Sequence, residues 1–177
     1  FQIMYKNFVN EYEGFVKKFN LTLKNYVKMS DFPSLYKPIQ YILSSEGKRL
    51  RPFLFYLSSK VYNVPNDKIF QLALSVEMLH CFSLVHDDIM DEDDLRRGKE
   101  TIHKKWDLST AILVGDAIFA LVYKNINELN NTKKVLHAFS KETINLCEGQ
   151  SLDKIFESKN SISIDDYLNM IELKTGS

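Results

Sequence analysis

An all-α fold is what this sequence predicts, and three observations carry that expectation. Apolar residues recur at helical spacing through long stretches, the pattern of helices that bury one face. Only six glycines and four prolines interrupt the 177 residues, so little punctuates those stretches. Hydrophobic residues make up 45% of the chain and charged residues 26%, an ordinary globular composition at a length that allows a sizeable core.

In chain order, helices are expected over 3–29 (continuous or broken), 34–45, 50–63 and 67–92. Pro65-Asn66-Asp67 supplies a turn and N-cap for the fourth. The stretch 93–108 is polar, carries Gly98 and reads as a loop. Helices follow over 109–129 and 132–157, divided by Asn130-Asn131-Thr132. Ser163, with Asp166 three residues on, resembles a capping box for a last helix over 164–175. No repeat, low-complexity tract or linker divides the chain, so one domain over 1–177 is expected.

Formal net charge is zero, from 23 basic and 23 acidic residues, which argues against nonspecific nucleic-acid binding as the main role. Cys81 and Cys147 sit in apolar helical contexts without metal-ligand spacing. They read as buried thiols of a reducing compartment, consistent with a cytoplasmic protein. No apolar run approaches the ~18–20 residues of a membrane span; the best candidate, 111–123, carries Asp116. No signal peptide is visible, and a chain starting at Phe1 is expected to have lost its natural start.

One stretch departs from this ordinary pattern. Residues 69–85 are mostly apolar; six acidic residues then fall within positions 87–94, followed by Arg96, Arg97 and Lys99. Residues four apart share a helix face, with side chains about 5–6 Å apart, so Asp87 and Asp91 can aim at one object with Asp88 beside them. Crowded carboxylates repel unless a cation joins them, and such oxygen donors suit Mg²⁺, which completes its shell with water and substrate phosphates. Eighteen residues make about five helical turns, so Asp87 lies in line with Ile69, through or close to Ala73, Val76, His80 and Ser83. A stripe that starts apolar and ends in His, Ser and Asp belongs to a helix whose upper half lines a pocket. A solvated acidic helix end competes with that reading. An EF-hand loop fits poorly, because the sixth position from Asp87 is Glu92 rather than glycine.

Gly47-Lys48-Arg49-Leu50-Arg51-Pro52 places three cations in four positions at the opening of a predicted helix. Free N–H groups and the helix dipole add positive potential there. Arginine's fork and lysine's point charge both suit phosphate, although a solvated basic turn has the same sequence. Arg96, Arg97 and Lys99 would hang over the mouth of the pocket, or simply neutralise the neighbouring acids. Alone, His80 reads as a satisfied core histidine and Lys174-Thr175-Gly176 as an unremarkable helix end.

Together these stretches closely resemble the trans-isoprenyl diphosphate synthases, the polyprenyl synthetase family. The likeness runs from about Tyr36 to Ser177 and includes Gly115-Asp116 and Glu148-Gly149-Gln150. One Asp-Asp-x-x-Asp is shared with terpene cyclases and squalene-type synthases; the ordered set of four motifs is far more specific. The resemblance implies an antiparallel helical bundle around a central cleft, a homodimer, and head-to-tail condensation of isopentenyl diphosphate with an allylic diphosphate. It implies that Asp87 and Asp91 ligate Mg²⁺, two or three ions in the full-length enzyme, with Asp88 supporting the cluster. Bound metal draws charge from the leaving diphosphate so that the C1–O bond ionises. The isopentenyl double bond then attacks the allylic cation, and proton loss ends the cycle, with released diphosphate as base. By the same resemblance Arg96 holds the allylic diphosphate, and Lys48, Arg51, His80 and Arg97 hold the isopentenyl diphosphate. Lys174 and Thr175 match residues beside the allylic diphosphate and the reaction centre.

Product length follows from the resemblance too. In the family, side chains a turn or more below the first aspartate set the depth of the cleft. Here the fifth residue before Asp87 is bulky Phe82, the fourth is small Ser83, and the acidic motif has no two-residue insertion. That combination looks like archaeal-type geranylgeranyl diphosphate synthases, so a C20 product is expected, with C15 farnesyl diphosphate as the alternative. Ideal helix geometry turns Phe82 about 140° from the Asp87 line, so its role rests on the resemblance alone. The family's second aspartate-rich motif lies beyond Lys-Thr-Gly, after the point where this chain ends. The C-terminal helices are therefore expected to be missing and the chain alone inactive. A noncatalytic prenyl-synthase-like regulatory subunit would be expected to have lost its aspartates or cradle arginines, and both sets are intact. A terpene cyclase has no need of Lys48 and Arg51.

Overall fold

A computed structural model describes residues 2–27, 31–129 and 132–176. Helix α1 spans Gln2–Tyr26, α2 Pro33–Leu43, α3 Leu50–Val61, α4 Asn66–Met90, α5 Ile102–Lys105, α6 Leu108–Asn127, α7 Thr132–Glu157 and α8 Ile164–Ile171. The expected helices are present, most ending a few residues early. The expected end of the first, at 28–29, and the separator Asn130-Asn131 lie outside the described residues. The chain forms two compact units, Phe1–Leu129 and Asn130–Ser177. Helices α1–α6 belong to the first, and α7 and α8 to the second.

At the centre of the first unit α4 packs antiparallel on α6. Phe82 stacks on Phe119, with ring centroids 4.8 Å apart, while Gln71 meets Asn125 at the opposite end. Ile69, Ala73, Met78 and Val85 of α4, and Ala111, Val114, Ile118, Val122 and Ile126 of α6, are buried at 2% exposure or less. Asn125 Nδ2 donates to the Gln71 carbonyl and to Ser75 Oγ, both at 2.7 Å, and Gln71 Nε2 donates back to the Asn125 carbonyl at 3.0 Å. Sliding one helix past the other would leave these groups unmet, so the network fixes their register.

Lys68–Met90 and Leu108–Asn127 are long and apolar enough to cross a membrane by length and composition. That corrects the expectation that no stretch approaches a span, which counted unbroken apolar runs and missed helices with interspersed polar residues. Their apolar faces are spent on one another, as in the core of a globular unit.

A second cluster anchors α1 to α3. Phe53 lies under Phe8, Tyr12 and Phe15 with centroid separations of 5.0–5.7 Å. Glu11 of α1 accepts from Lys60 Nζ at 2.5 Å.

Three local expectations need correction. The stretch 93–108 is not all loop: β1 (Leu95–Arg96) pairs antiparallel with β2 (Lys99–Glu100), and α5 follows. Arg97 and Gly98 both have positive φ, 54° and 76°, the conformation of a two-residue hairpin turn, so the Arg-Gly pair was a turn signal as well as a charge. Helix α4 starts at Asn66, one residue before the expected start, with Pro65 of the expected turn as its N-cap and no side-chain cap hydrogen bond. Cys81 is buried, and burial first, with Glu77 second, pushes its thiol up to about 12, but Cys147 is exposed on α7.

In the second unit Ser163 is the N-cap of α8. Ser163 Oγ accepts from the Asp166 N–H at 3.0 Å. Helix α8 ends at Ile171 and widens into a π-helical turn over Glu172–Gly176.

Candidate active site

The stripe along α4 behaves as its spacing predicts. Ile69 and Ala73 are fully buried, whereas Val76, His80, Ser83 and Asp87 are only partly so. Ser83 Oγ donates to the His80 carbonyl at 2.8 Å. Above Ser83 the helix continues through its acidic end: the Asp91 N–H donates to the Asp87 carbonyl at 2.8 Å, so these two residues lie one turn apart. Asp91 is exposed and Asp87 partly so, while Asp88, 3% exposed, turns inward.

Arg96 reaches this acidic turn from the hairpin. Its Nε donates to Asp88 Oδ1, and its Nη2 lies 3.5 Å from both Asp87 Oδ2 and Asp93 Oδ2. Burial pushes the Asp88 carboxyl above its usual range against the opposing pull of Arg96. Among the described residues no group of three or more His, Cys, Asp or Glu side chains converges to hold a metal ion. Asp87 and Asp91 nonetheless fit Mg²⁺. They offer two solvent-reachable carboxylates on one helix face, and this ion commonly takes one or two carboxylates with water and phosphate oxygens for the rest.

The basic motif forms a second place. A hollow of about 690 Å³ is lined by Lys48, Arg51, His80 and Arg97, with Glu46, Gly47, Arg49, Leu50 and Glu77. The four residues expected at one diphosphate are thus brought together. Arg97 stands at the hairpin turn, and its Nη1 donates to the Glu46 carbonyl at 2.7 Å. Gly47 makes that approach possible, since a Cβ there would sit 2.4 Å from Arg97 Nη1.

Arg49 departs from expectation. It is 5% exposed and pairs with Glu77, which is 4% exposed, so only two of the three clustered cations are available to an anion. Sequence reasoning missed Arg49 and Glu77 as a pair; the available signal was Glu77 three residues before His80 on the same helix.

Burial lowers the His80 pKa to about 4, helped by Arg51, Arg97, Arg96 and Arg49, so the ring is neutral near pH 7. The unfolded chain takes up a proton near pH 6.5 that the folded one refuses. Stability contributed by His80 is therefore present above that pH and lost as pH falls toward 4. Between pH 7 and 4.5 the unfolding free energy should drop by roughly 2–3 kcal/mol more in the wild type than in His80→Asn. Urea titrations at the two pH values measure this, and equal drops would rule it out.

Phe82 points toward α6, as its rotation from the Asp87 line requires. It stacks on Phe119 and meets His86 edge-on at 4.8 Å, and Phe119 in turn meets Tyr123 at 4.9 Å. These α6 aromatics were not anticipated. In the second unit Lys174 Nζ donates to Asp153 Oδ2 at 2.6 Å, while Thr175 is exposed on the π-helical turn. Gly149 lets that turn lie against α7, because a Cβ there would be 2.4 Å from the Lys174 backbone nitrogen.

A family profile described as polyprenyl synthetase matches residues 32–177. The chain is 35% identical over 174 residues to a geranylgeranyl diphosphate synthase of Sulfolobus acidocaldarius, covering 95% of this chain and 52% of the relative. It is 34% identical over 161 residues to a geranylfarnesyl diphosphate synthase of Natronomonas pharaonis, covering 80% and 47%. The crystal structure of a geranylgeranyl pyrophosphate synthetase from Pyrococcus horikoshii superposes with a TM-score of 0.90 at 32% identity, over 98% of this chain and 54% of that one. The chain thus spans about half the length of the curated relatives it matches.

Proposed function

This chain belongs to the polyprenyl synthetase family, and we propose that its protein is a Mg²⁺-dependent short-chain trans-prenyltransferase, joining isopentenyl diphosphate to an allylic diphosphate. The observation that carries this reading is the pairing of two places on one helix. A hollow with Lys48, Arg51, His80 and Arg97 on its walls lies along α4, and the last turn of α4 presents Asp87 and Asp91. Two anionic tails need separate charge sites, and these two places on α4 support that reading. Relatives of similar identity carry C20 and C25 names, so they do not separate products. Phe82 backed by Phe119 favours C20, with C15 as the alternative. A cytoplasmic homodimer, with the substrates as its other partners, completes the reading.

In this mechanism Lys48 and Arg51 bind the isopentenyl diphosphate from the start of α3, and Arg97 from the hairpin. Neutral His80 offers a ring N–H to a phosphate oxygen without adding charge. Asp87 and Asp91 would hold the metal, which when bound neutralises the leaving diphosphate. Arg96, anchored by Asp88, stands beside them to engage the allylic diphosphate. Lys174 and Thr175 are assigned to the same diphosphate and the reacting carbon. The stripe of α4 below Asp87 is assigned to the wall of the cleft that takes the growing chain.

Incubating the complete protein with labelled isopentenyl diphosphate, each allylic starter and Mg²⁺ tests the reading. A labelled C20 product is expected, and no condensation with any starter would refute the assignment. Phe82→Ala removes the ring that abuts Phe119 and should shift products to at least one isoprene unit longer, as sized by chromatography. An unchanged product distribution would refute the chain-length role.

A further inference from the structure

Neither Arg49 nor Glu77 is assigned a substrate contact above, yet both border the diphosphate hollow from within the fold. Four guanidinium interactions account for the burial of Arg49. Its Nη1 donates to Glu77 Oε1, Nε to Asn20 Oδ1 at 2.9 Å, and Nη2 to the carbonyls of Leu43 and Ser45 at 3.1 and 2.7 Å. Two further side chains cap the same loop: Arg97 donates to the Glu46 carbonyl, and Tyr12 Oη donates to the Lys48 carbonyl at 2.5 Å. The carbonyls of residues 43, 45, 46 and 48 are therefore all engaged from the side-chain direction. Left unmet beside an anion, such oxygens would repel it.

The backbone adds a second observation. Arg49 holds φ 49° and ψ 34°, a left-handed conformation uncommon for a residue with a Cβ, and it persists only where surrounding contacts enforce it. That local reversal sends Arg49 inward while Lys48 and Arg51 remain on the hollow. Glu77 makes the pairing necessary. Without Arg49, the floor of an anion site would carry a buried, uncompensated carboxylate.

Building on the proposed function, we propose that Arg49 and Glu77 are positioning residues for the isopentenyl diphosphate cradle, holding the 43–49 loop so that Lys48 and Arg51 stand preorganised at the hollow. Preorganised charge binds without first ordering its own loop. The pair therefore acts on affinity for one substrate and leaves the other substrate and the chemical step alone.

Glu77→Gln and Arg49→Lys in the complete protein test this by steady-state kinetics with each substrate varied. The KM for isopentenyl diphosphate should rise on the order of tenfold, with kcat and the KM for the allylic diphosphate near wild type. Calorimetric affinity for inorganic pyrophosphate at this site should fall in parallel. Tyr12→Phe deletes one hydroxyl without disturbing the buried pair. It should raise the same KM roughly threefold, and it decides the question if the buried variants fail to fold. Variants that lose only thermal stability or active fraction, with both KM values unchanged, overturn the positioning role. Equal rises in both KM values do so as well. Wild-type protein that neither condenses the substrates nor binds pyrophosphate overturns the functional reading, and the proposal with it.

Discussion

Replacing Asp87 or Asp91 with alanine in the complete protein is expected to cut condensation turnover by roughly 10²–10³-fold, the usual cost of removing preorganised charge stabilisation at a reacting centre. The two carboxylates stand one turn apart at the open end of α4, joined by the Asp91 N–H to Asp87 carbonyl bond of 2.8 Å. Both are accessible, whereas Asp88 is buried against Arg96. The loss should fall on kcat. Pyrophosphate binding in the Lys48–Arg51 hollow should survive without added Mg²⁺, because those residues are supplied by other parts of the fold. Single-turnover measurement of allylic ionisation separates these effects. Near-normal rates in either variant would remove the metal role from these carboxylates.

Gly149→Ala should be the most damaging single-methyl change in the second unit. Its Cβ would lie 2.4 Å from the Lys174 nitrogen, 2.8 Å from the Lys174 Cα and 2.9 Å from the Leu173 carbonyl carbon. These are backbone atoms of the π-helical turn and cannot swing aside as a side-chain tip can. The turn must move, carrying Lys174 and Thr175 with it; in the roles proposed for them, a displacement near 1 Å would cost on the order of 100-fold. Overpacking should also lower stability by about 1–3 kcal/mol. The diagnostic result is a fall in kcat with the KM for isopentenyl diphosphate near wild type, since that cradle belongs to the first unit. A variant with unchanged kcat would show that the close approach of α7 to this turn has no bearing on catalysis.

Much of the fold was legible because helix formation is recorded locally. The period of apolar residues placed α1, α3, α4, α6 and α7 to within a few residues, and Ser163 with Asp166 announced the start of α8. The 95–100 hairpin was missed because Gly98 marks a turn without saying that Arg97 beside it also takes positive φ and closes a two-residue hairpin. Exposure of Cys147 was missed for a related reason: apolar neighbours along a helix do not say which of its faces is covered.

The candidate site divides the same way. That Asp87 and Asp91 share a face, in line with Ile69, follows from 3.6 residues per turn and needed no coordinates. That Phe82 leaves this line also followed, but its partner Phe119, itself met by Tyr123, comes from another helix 37 positions away and was invisible.

By itself, then, the sequence determined the helices, the faces they share, the clustering of acids and bases, and the family. Only the tertiary structure decided which charges are free to act. Of Lys48, Arg49 and Arg51, three cations of equal standing in the sequence, Arg49 is turned inward onto Glu77 and Asn20, 28 and 29 residues away. The reason is physical. Periodicity is a property of neighbours along the chain, whereas the fate of a charge depends on whether a distant partner meets it out of water.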